Sequence, residues 1–71
     1  MFYVYVLQRG ETLYIGYTEN LTQRIKQHQR KINSKLIYYE AYLLEKAART
    51  REKQLKYYGS AWRALKKRIM A

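Results

Sequence analysis

The sequence predicts an α+β fold, a three-stranded antiparallel sheet flanked by helices in the order ββαβαα. Near the N-terminus, two segments alternate and are rich in aromatic and β-branched residues, which is typical of strands. Later segments repeat apolar residues at helical spacing. The 71 residues contain no proline, linker, repeat or low-complexity tract, so residues 1–71 are predicted to form one domain.

Three strands account for the sheet. Phe2 to Leu7 and Thr12 to Thr18 follow the alternating pattern, and the short link between them contains Gly10, which favours a hairpin. A third strand is predicted over Leu36 to Leu43. The tyrosines expected to serve only packing on this strand are Tyr38, Tyr39 and Tyr42.

The first helix follows the hairpin. Asn20 is predicted to be its N-cap, and Asn33 with Ser34 is predicted to end it. One side of this helix carries residues spaced by three or four positions, namely Leu21, Ile25, His28 and Ile32.

Two further helices complete the predicted fold. The second runs from about Glu45 to Tyr57, with Gly59 at the C′ position that ends many helices and Ser60 capping the third. The third helix exposes its basic residues and turns its apolar side inward. The residues expected to pack between these two helices are Tyr57, Tyr58, Ala61, Trp62, Leu65 and Ile69.

The charge of the chain points to a polyanionic partner. Fifteen Lys and Arg residues stand against five acids, for a net charge of +10. Such a balance favours nucleic acid first and an anionic membrane surface second, and the alternative is a merely solvated basic surface. The absence of cysteine excludes disulfides, and a single histidine excludes a zinc site made of several histidines. No apolar run reaches a membrane-spanning length and no secretory signal is recognisable, so we expect a cytoplasmic protein.

Arg24 and His28 are unusual residues for the apolar side of the first helix. They share that side with Leu21 and Ile25, because positions three and four apart are neighbours on a helix. A single arginine in such a place is usually a surface residue whose stem covers apolar groups. Neither residue alone is therefore good evidence for a functional site.

Glu52 is the sharper anomaly. It lies on or beside the buried side of the second helix, four residues after Ala48 and three before Leu55. An isolated buried carboxylate is costly, so Glu52 must be paired or bind a cation. The simple interpretation is an i,i+4 salt bridge with Lys56, worth about 0.2–0.5 kcal/mol.

Together these residues have the chemistry that phosphodiester hydrolysis requires. A carboxylate holds Mg²⁺ that polarises the phosphate, an arginine neutralises charge on its oxygens, and a phenol or imidazole accepts a proton from water. The five acids are widely spread, so the sequence predicts at most one metal ion.

Several segments, taken in order, carry a resemblance to a known family: Tyr3-Val4-Tyr5, Tyr14-Ile15-Gly16, Asn20-Leu21 with Arg24 and His28, Leu36 to Ala41, and Ala48 with Arg51 to Lys56. The chain resembles the GIY-YIG nuclease superfamily, specifically its small stand-alone bacterial members. These are relatives of the N-terminal nuclease domain of the excision-repair endonuclease. Tyr3 stands in place of the first glycine, and the segment between His28 and Leu36 is shorter than in many such members.

The resemblance implies a role for each candidate residue. Glu52 is implied as the ligand of a single Mg²⁺ or Mn²⁺ ion, and Arg24 as the cation for the phosphate and transition state. Tyr5 is implied as the general base or as the hydrogen-bond partner of the attacking water. Tyr14 would position the water or phosphate, and His28 would assist proton transfer or bind phosphate.

The predicted function is therefore a metal-dependent endonuclease with little sequence preference. DNA is the favoured substrate and RNA stays open, as does a partner protein that supplies specificity. The alternative from another class is a non-catalytic nucleic-acid-binding module that keeps the fold and the charge. A membrane-surface protein using the basic last helix is disfavoured, because the apolar side of that helix is needed for the core.

Overall fold

The computed structural model describes residues 1–31 and 34–70. It contains one three-stranded sheet and three helices in the order ββαβαα, which confirms the predicted fold class. The elements are β1 (Phe2–Arg9), β2 (Thr12–Thr18), α1 (Leu21–Lys31), β3 (Lys35–Tyr42), α2 (Glu45–Tyr57) and α3 (Gly59–Ile69). Across the described ranges, every helix is too short or too polar to span a bilayer.

The first strand is the centre of the sheet. The order is β2-β1-β3, and β1 pairs antiparallel with both neighbours. Tyr5 in the middle of β1 lies opposite Gly16 on β2 and Tyr39 on β3. The register with β3 shifts between Val6 and Leu7. Because β1 is flanked on both sides, its side chains occupy the middle of both sheet faces.

One sheet face builds the hydrophobic core. Val4 and Val6 of β1 pack with Ala48, Leu55 and Leu65 from α2 and α3, and each of these residues is at most 2% exposed. The alternate β1 residues, Tyr3, Tyr5, Leu7 and Arg9, therefore face the opposite side. There α1 brings His28 into contact with Tyr5. Tyr5 and His28, two of the candidate residues, thus meet on the sheet face opposite the hydrophobic core.

The strand and helix boundaries follow the predictions closely. The first strand extends two residues further than expected, to Arg9, because Arg9 still pairs with Thr12. Gly10 then turns the chain with a φ of +59°, a conformation that favours glycine. Asn20 caps α1, since its Oδ1 accepts the Gln23 N–H at 3.0 Å. The predictions for Ile32 and Asn33 fall outside the described residues.

The junction between α2 and α3 differs from the prediction. Ser60 does not cap α3, because α3 begins one residue earlier at Gly59 and Tyr58 is the residue before it. Tyr58 is extended (φ −112°, ψ 102°); its N–H donates to the Gln54 carbonyl, and its own carbonyl accepts the Ala61 N–H. A single extended residue thus turns the chain, and Gly59 has no positive φ.

The aromatic residues near this junction were only partly predicted. Trp62 packs against the core as expected. Tyr57 and Tyr58 do not close the core, because they are 76% and 63% exposed. The extended backbone at Tyr58 places both phenols on the outside of the turn, so the expectation for these two residues is wrong.

A polar network fastens α2 to the third strand. The Glu40 carboxylate accepts hydrogen bonds from the Tyr38 hydroxyl at 2.6 Å, from the Tyr42 hydroxyl, and from Arg51 through Nε at 3.0 Å and Nη2 at 3.1 Å. Burial works to raise the pKa of Glu40, but these hydrogen bonds outweigh it and hold the pKa below its ordinary value. The network fixes the helix that also carries Glu52.

Candidate active site

The phenol of Tyr5 forms the floor of the candidate site. The residue is only 1% exposed, and its ring crosses the backbone of Gly16 on the neighbouring strand. A side chain at position 16 would overlap the Tyr5 hydroxyl and ring. The glycine of the Tyr14-Ile15-Gly16 tripeptide therefore makes room for the buried phenol, which is a packing requirement and not a conformational one.

Tyr14 and His28 lie beside this floor. The Tyr5 hydroxyl is 3.3 Å from His28 Nε2, and the centroids of the Tyr14 and His28 rings are 5.2 Å apart. The Tyr5 and Tyr14 ring centroids are separated by 6.4 Å. Tyr14 is 37% exposed, so its phenol is the accessible one of the two. The structure thus brings three of the sequence-predicted site residues into direct contact.

Arg9 is a member of this cluster that the sequence did not single out. Its Nη2 lies 2.8 Å from His28 Nδ1, and its guanidinium carbon lies 4.8 Å from the centre of the Tyr14 ring. The strand alternation was the available signal, because Arg9 follows Tyr5 by four residues and so shares its face. The predicted strand ended at Leu7, which hid this relationship.

Arg24 and Glu52 act on the site from two different helices. Burial and then the neighbouring Tyr14 raise the pKa of the Tyr5 phenol to about 12. Arg24 and Arg9 pull this pKa down and Glu52 pushes it up, so all three charges lie within electrostatic reach of the phenol. Arg24 itself is exposed on α1. Tyr5 is therefore in contact with Tyr14 and His28, and it lies within electrostatic reach of Arg24 and Glu52.

The Glu52 carboxylate has the environment of a partly solvated ligand. Its side chain is 22% exposed, and the salt bridge expected from the simple interpretation forms, with Lys56 Nζ at 3.3 Å from Oε2. Within residues 1–31 and 34–70, no group of three His, Cys, Asp or Glu side chains is placed to hold a metal ion. One open carboxylate suits Mg²⁺, which keeps several waters and commonly takes one or two carboxylates plus substrate phosphate.

A groove continues from the site towards the last helix. It has a volume of about 510 Å³ and shares Tyr14 and Lys56 with the surroundings of the site. Leu55 and Trp62 supply apolar surface to its walls, and Lys66 of α3 adds a second ammonium group. The groove is thus a mixed aromatic, apolar and basic surface next to the cluster of phenols.

Comparison with known proteins identifies the family to which the chain belongs. Residues 1–56 match the family described as the GIY-YIG catalytic domain. The chain belongs to this family. The chain is also 36% identical, over an alignment of 66 residues, to the UPF0213 protein CPE1444 of Clostridium perfringens, and the alignment covers 79% of this chain and 71% of that protein. No solved structure matches the chain.

Membership in the GIY-YIG family indicates the general function of the domain. Proteins with this domain are generally endonucleases, so a nuclease-type function and a nucleic-acid substrate follow for the domain in general terms. The match ends at Lys56, the residue that pairs with Glu52, and so it includes the sheet, α1 and nearly all of α2. Helix α3 lies beyond the matched residues.

Proposed function

We propose that this protein is a divalent-metal-dependent endonuclease that hydrolyses phosphodiester bonds in nucleic acid, with DNA favoured and little sequence specificity. The observation that supports this most directly is the convergence on Tyr5. Tyr14 and His28 contact it, while Arg24 and Glu52 lie within electrostatic reach from two helices. The net charge of +10 supports a polyanionic substrate.

Glu52 would hold a single Mg²⁺ or Mn²⁺ ion. A bound divalent ion polarises a phosphoryl oxygen and lowers the pKa of bound water. The part left to the protein is to present one partly exposed carboxylate within electrostatic reach of Tyr5 and to supply cations that bind the substrate phosphate. Lys56 fits the second task, because its ammonium group already lies beside the carboxylate.

Arg24 and Tyr14 would contact the substrate and the attacking water. Both side chains are exposed, so a phosphate and a water molecule can reach them. The Arg24 guanidinium offers several donors in a fork that matches two phosphate oxygens, where negative charge builds during cleavage. The Tyr14 hydroxyl can both donate and accept, which allows it to orient a water molecule.

Tyr5 is better suited to hydrogen bonding than to general-base catalysis. With its pKa raised to about 12, only about one phenol in 10⁵ is ionised at pH 7. The neutral hydroxyl remains a donor and an acceptor at the floor of the site. We therefore assign Tyr5 the second of its two expected roles, as hydrogen-bond partner of the attacking water.

His28 would act through Nε2. A guanidinium has only donors, so the 2.8 Å contact from Arg9 requires an unprotonated Nδ1 that accepts. The proton of the neutral ring then resides on Nε2, 3.3 Å from the Tyr5 oxygen. This N–H is available to the phenol or to a phosphate oxygen, so in this arrangement His28 is a hydrogen-bond donor.

Cleavage of end-labelled single-stranded, duplex and branched DNA and of RNA, with Mg²⁺, with Mn²⁺ and with EDTA, tests the proposal. We expect cleavage that requires the metal and that Glu52→Gln lowers by at least about 100-fold, since one essential group is removed. Glu45→Gln is the matched control, because Glu45 is an acid on the same helix that pairs with Arg49 in the same i,i+4 arrangement. It should leave cleavage unchanged.

The same samples separate the enzyme from a non-catalytic binding module. If the wild-type protein binds DNA but cleaves no substrate with either metal, the enzyme proposal is wrong. A Glu52→Gln variant that binds more tightly in that case would identify a binding module, because removal of an acid favours a polyanion.

A further inference from the structure

Arg9 holds a position unlike that of a surface arginine. Its guanidinium lies between two members of the candidate site, His28 and Tyr14. We infer that Arg9 is a positioning residue that fixes the ring orientation and tautomer of His28, so that the Nε2–H faces Tyr5. The catalytic role that this inference gives to Arg9 rests on the proposed function. The geometry of Arg9 and His28 is independent of it.

The first support is the chemistry of the two hydrogen bonds of His28. Arg9 donates to Nδ1 at 2.8 Å, and the Tyr5 hydroxyl lies 3.3 Å from Nε2. A neutral imidazole has one donor and one acceptor nitrogen. A hydrogen-bond donor at Nδ1 therefore makes Nδ1 the acceptor and leaves the proton on Nε2. The Tyr5 oxygen then accepts a hydrogen bond from the Nε2–H, and the hydroxyl hydrogen of Tyr5 is left to be donated elsewhere in the site.

The second support is the position of Arg9 over Tyr14. The guanidinium carbon is 4.8 Å from the ring centre, within the range of a cation–π contact. One side chain therefore restrains both the imidazole and the accessible phenol. Such restraint by a neighbouring group keeps catalytic side chains in one rotamer, as outer-shell partners do for metal-binding histidines.

The third support is the energetic cost of burying part of the Arg9 guanidinium. Its Nε is buried and has no hydrogen-bond partner among residues 1–31 and 34–70. A buried donor left without a partner disfavours the folded state. The chain has 14 other basic residues that could supply charge without this cost. The place of Arg9 is therefore more simply explained by a role in the candidate site than by a contribution to folding.

Nitrogen NMR of the imidazole tests the geometry directly. His28 is the only histidine in the sequence, so a ¹⁵N-histidine sample reports this ring without assignment. At a pH where the ring is neutral, we expect an acceptor-type Nδ1 and a protonated Nε2 in the wild type. In Arg9→Met both shifts should move towards those of a free, tautomer-averaged imidazole. An averaged or Nδ1-protonated ring in the wild type would overturn the inference.

Kinetics and unfolding separate positioning from structural support. We expect Arg9→Met to lower kcat by about 10–100-fold with KM within about two-fold, while the melting temperature stays the same or rises. Arg9→Lys should remain impaired, because an ammonium keeps the charge but not the planar fork. Arg49→Met is the matched control, since Arg49 also lies over a tyrosine, Tyr17 at 5.6 Å, away from the site.

Each remaining outcome decides one of the two proposals. A normal kcat in Arg9→Met, or a raised KM with a normal kcat, would rule out positioning. If the wild-type protein proves inactive on every substrate, the proposed function fails, and the NMR measurement alone then decides whether Arg9 holds His28.

Discussion

The aromatic ring of Tyr5 lies across Gly16, so that the absence of a side chain on one strand leaves the space for a phenol on the next. This relationship links the Tyr3-Val4-Tyr5 and Tyr14-Ile15-Gly16 tripeptides, because the phenol of the first needs the space left by the glycine of the second. Gly16 sets the depth at which the Tyr5 hydroxyl is buried, and that depth contributes to the raised pKa of Tyr5.

Gly16→Ala is therefore expected to displace Tyr5. The added methyl group must move the ring or the strand, which should cost about 1–3 kcal/mol of unfolding free energy and also lower cleavage. Urea unfolding and the metal-dependent assay measure the two effects. Gly59→Ala is the control, because nothing lies within 4 Å of its Cβ position, and it should be neutral or slightly stabilising. Equal stability of the two variants would contradict the packing argument.

Glu40→Gln is expected to destabilise the protein, although Glu40 is not one of the candidate site residues. It leaves the partly buried Arg51 without its anionic partner, at a cost of about 2–3 kcal/mol, below the range for fully buried pairs. The folded pKa of Glu40 lies below its ordinary value of 4.5, so its contribution is present above that value and is lost as the pH falls through the folded pKa. Acid unfolding should therefore be less steep in the variant. An unchanged acid transition would show that the network is not a source of acid sensitivity.

Alkaline conditions should destabilise the fold through the buried phenol of Tyr5 and the half-buried phenol of Tyr42. Burial raises the pKa of Tyr5 to about 12, and burial with the Glu40 hydrogen bond does the same for Tyr42. Because these folded pKa values lie above the ordinary 10.0, the stability they contribute is complete below pH 10 and is lost between pH 10 and 12. Absorbance at 295 nm should show the late ionisation of both phenols, and Tyr42→Phe should remove one of them. A single transition at pH 10 in the folded protein would be inconsistent with this.

Lys66 is expected to contribute to substrate binding through the groove beside Tyr14. In a Glu52→Gln background with EDTA, Lys66→Gln should weaken DNA binding and reduce the slope of log affinity against log salt by about 1. Lys46→Gln, on the outer surface of α2, removes the same charge away from the groove and should change the slope less. Fluorescence anisotropy at several salt concentrations measures both, and identical slopes would place the DNA elsewhere.

The sequence was sufficient for most of the fold, because strand and helix periods are local properties. The alternation of the hairpin, the aromatic and apolar stretch from Leu36 to Leu43 and the repeats in the helices identified every element that the described residues contain. The contacts among Tyr5, Tyr14 and His28 come from the structure. The catalytic roles of these residues, and the binding of a metal ion at Glu52, stay predictions.

What the sequence could not indicate depends on contacts between elements. The pairing of Arg51 with Glu40 joins α2 to β3, and nothing in either segment specifies the partner. The sequence therefore predicts only packing for Tyr38 and Tyr42, whose hydroxyls donate to Glu40 in the structure. Arg9 was missed because its orientation depends on how far β1 continues. The extended Tyr58 at the helix junction is likewise set by tertiary geometry and not by a capping residue.

The central position of β1 restricts how this hairpin can change during evolution. Its even-numbered residues supply the hydrophobic interior and its odd-numbered residues supply the phenol and the guanidinium. Inserting or deleting one residue between Val4 and Leu7 would exchange the two sets and damage stability and chemistry together. Changes in length should be tolerated outside the paired segment, around the turn at Gly10. We therefore expect related chains to differ in the length of this turn and to keep the same alternation of residues along β1.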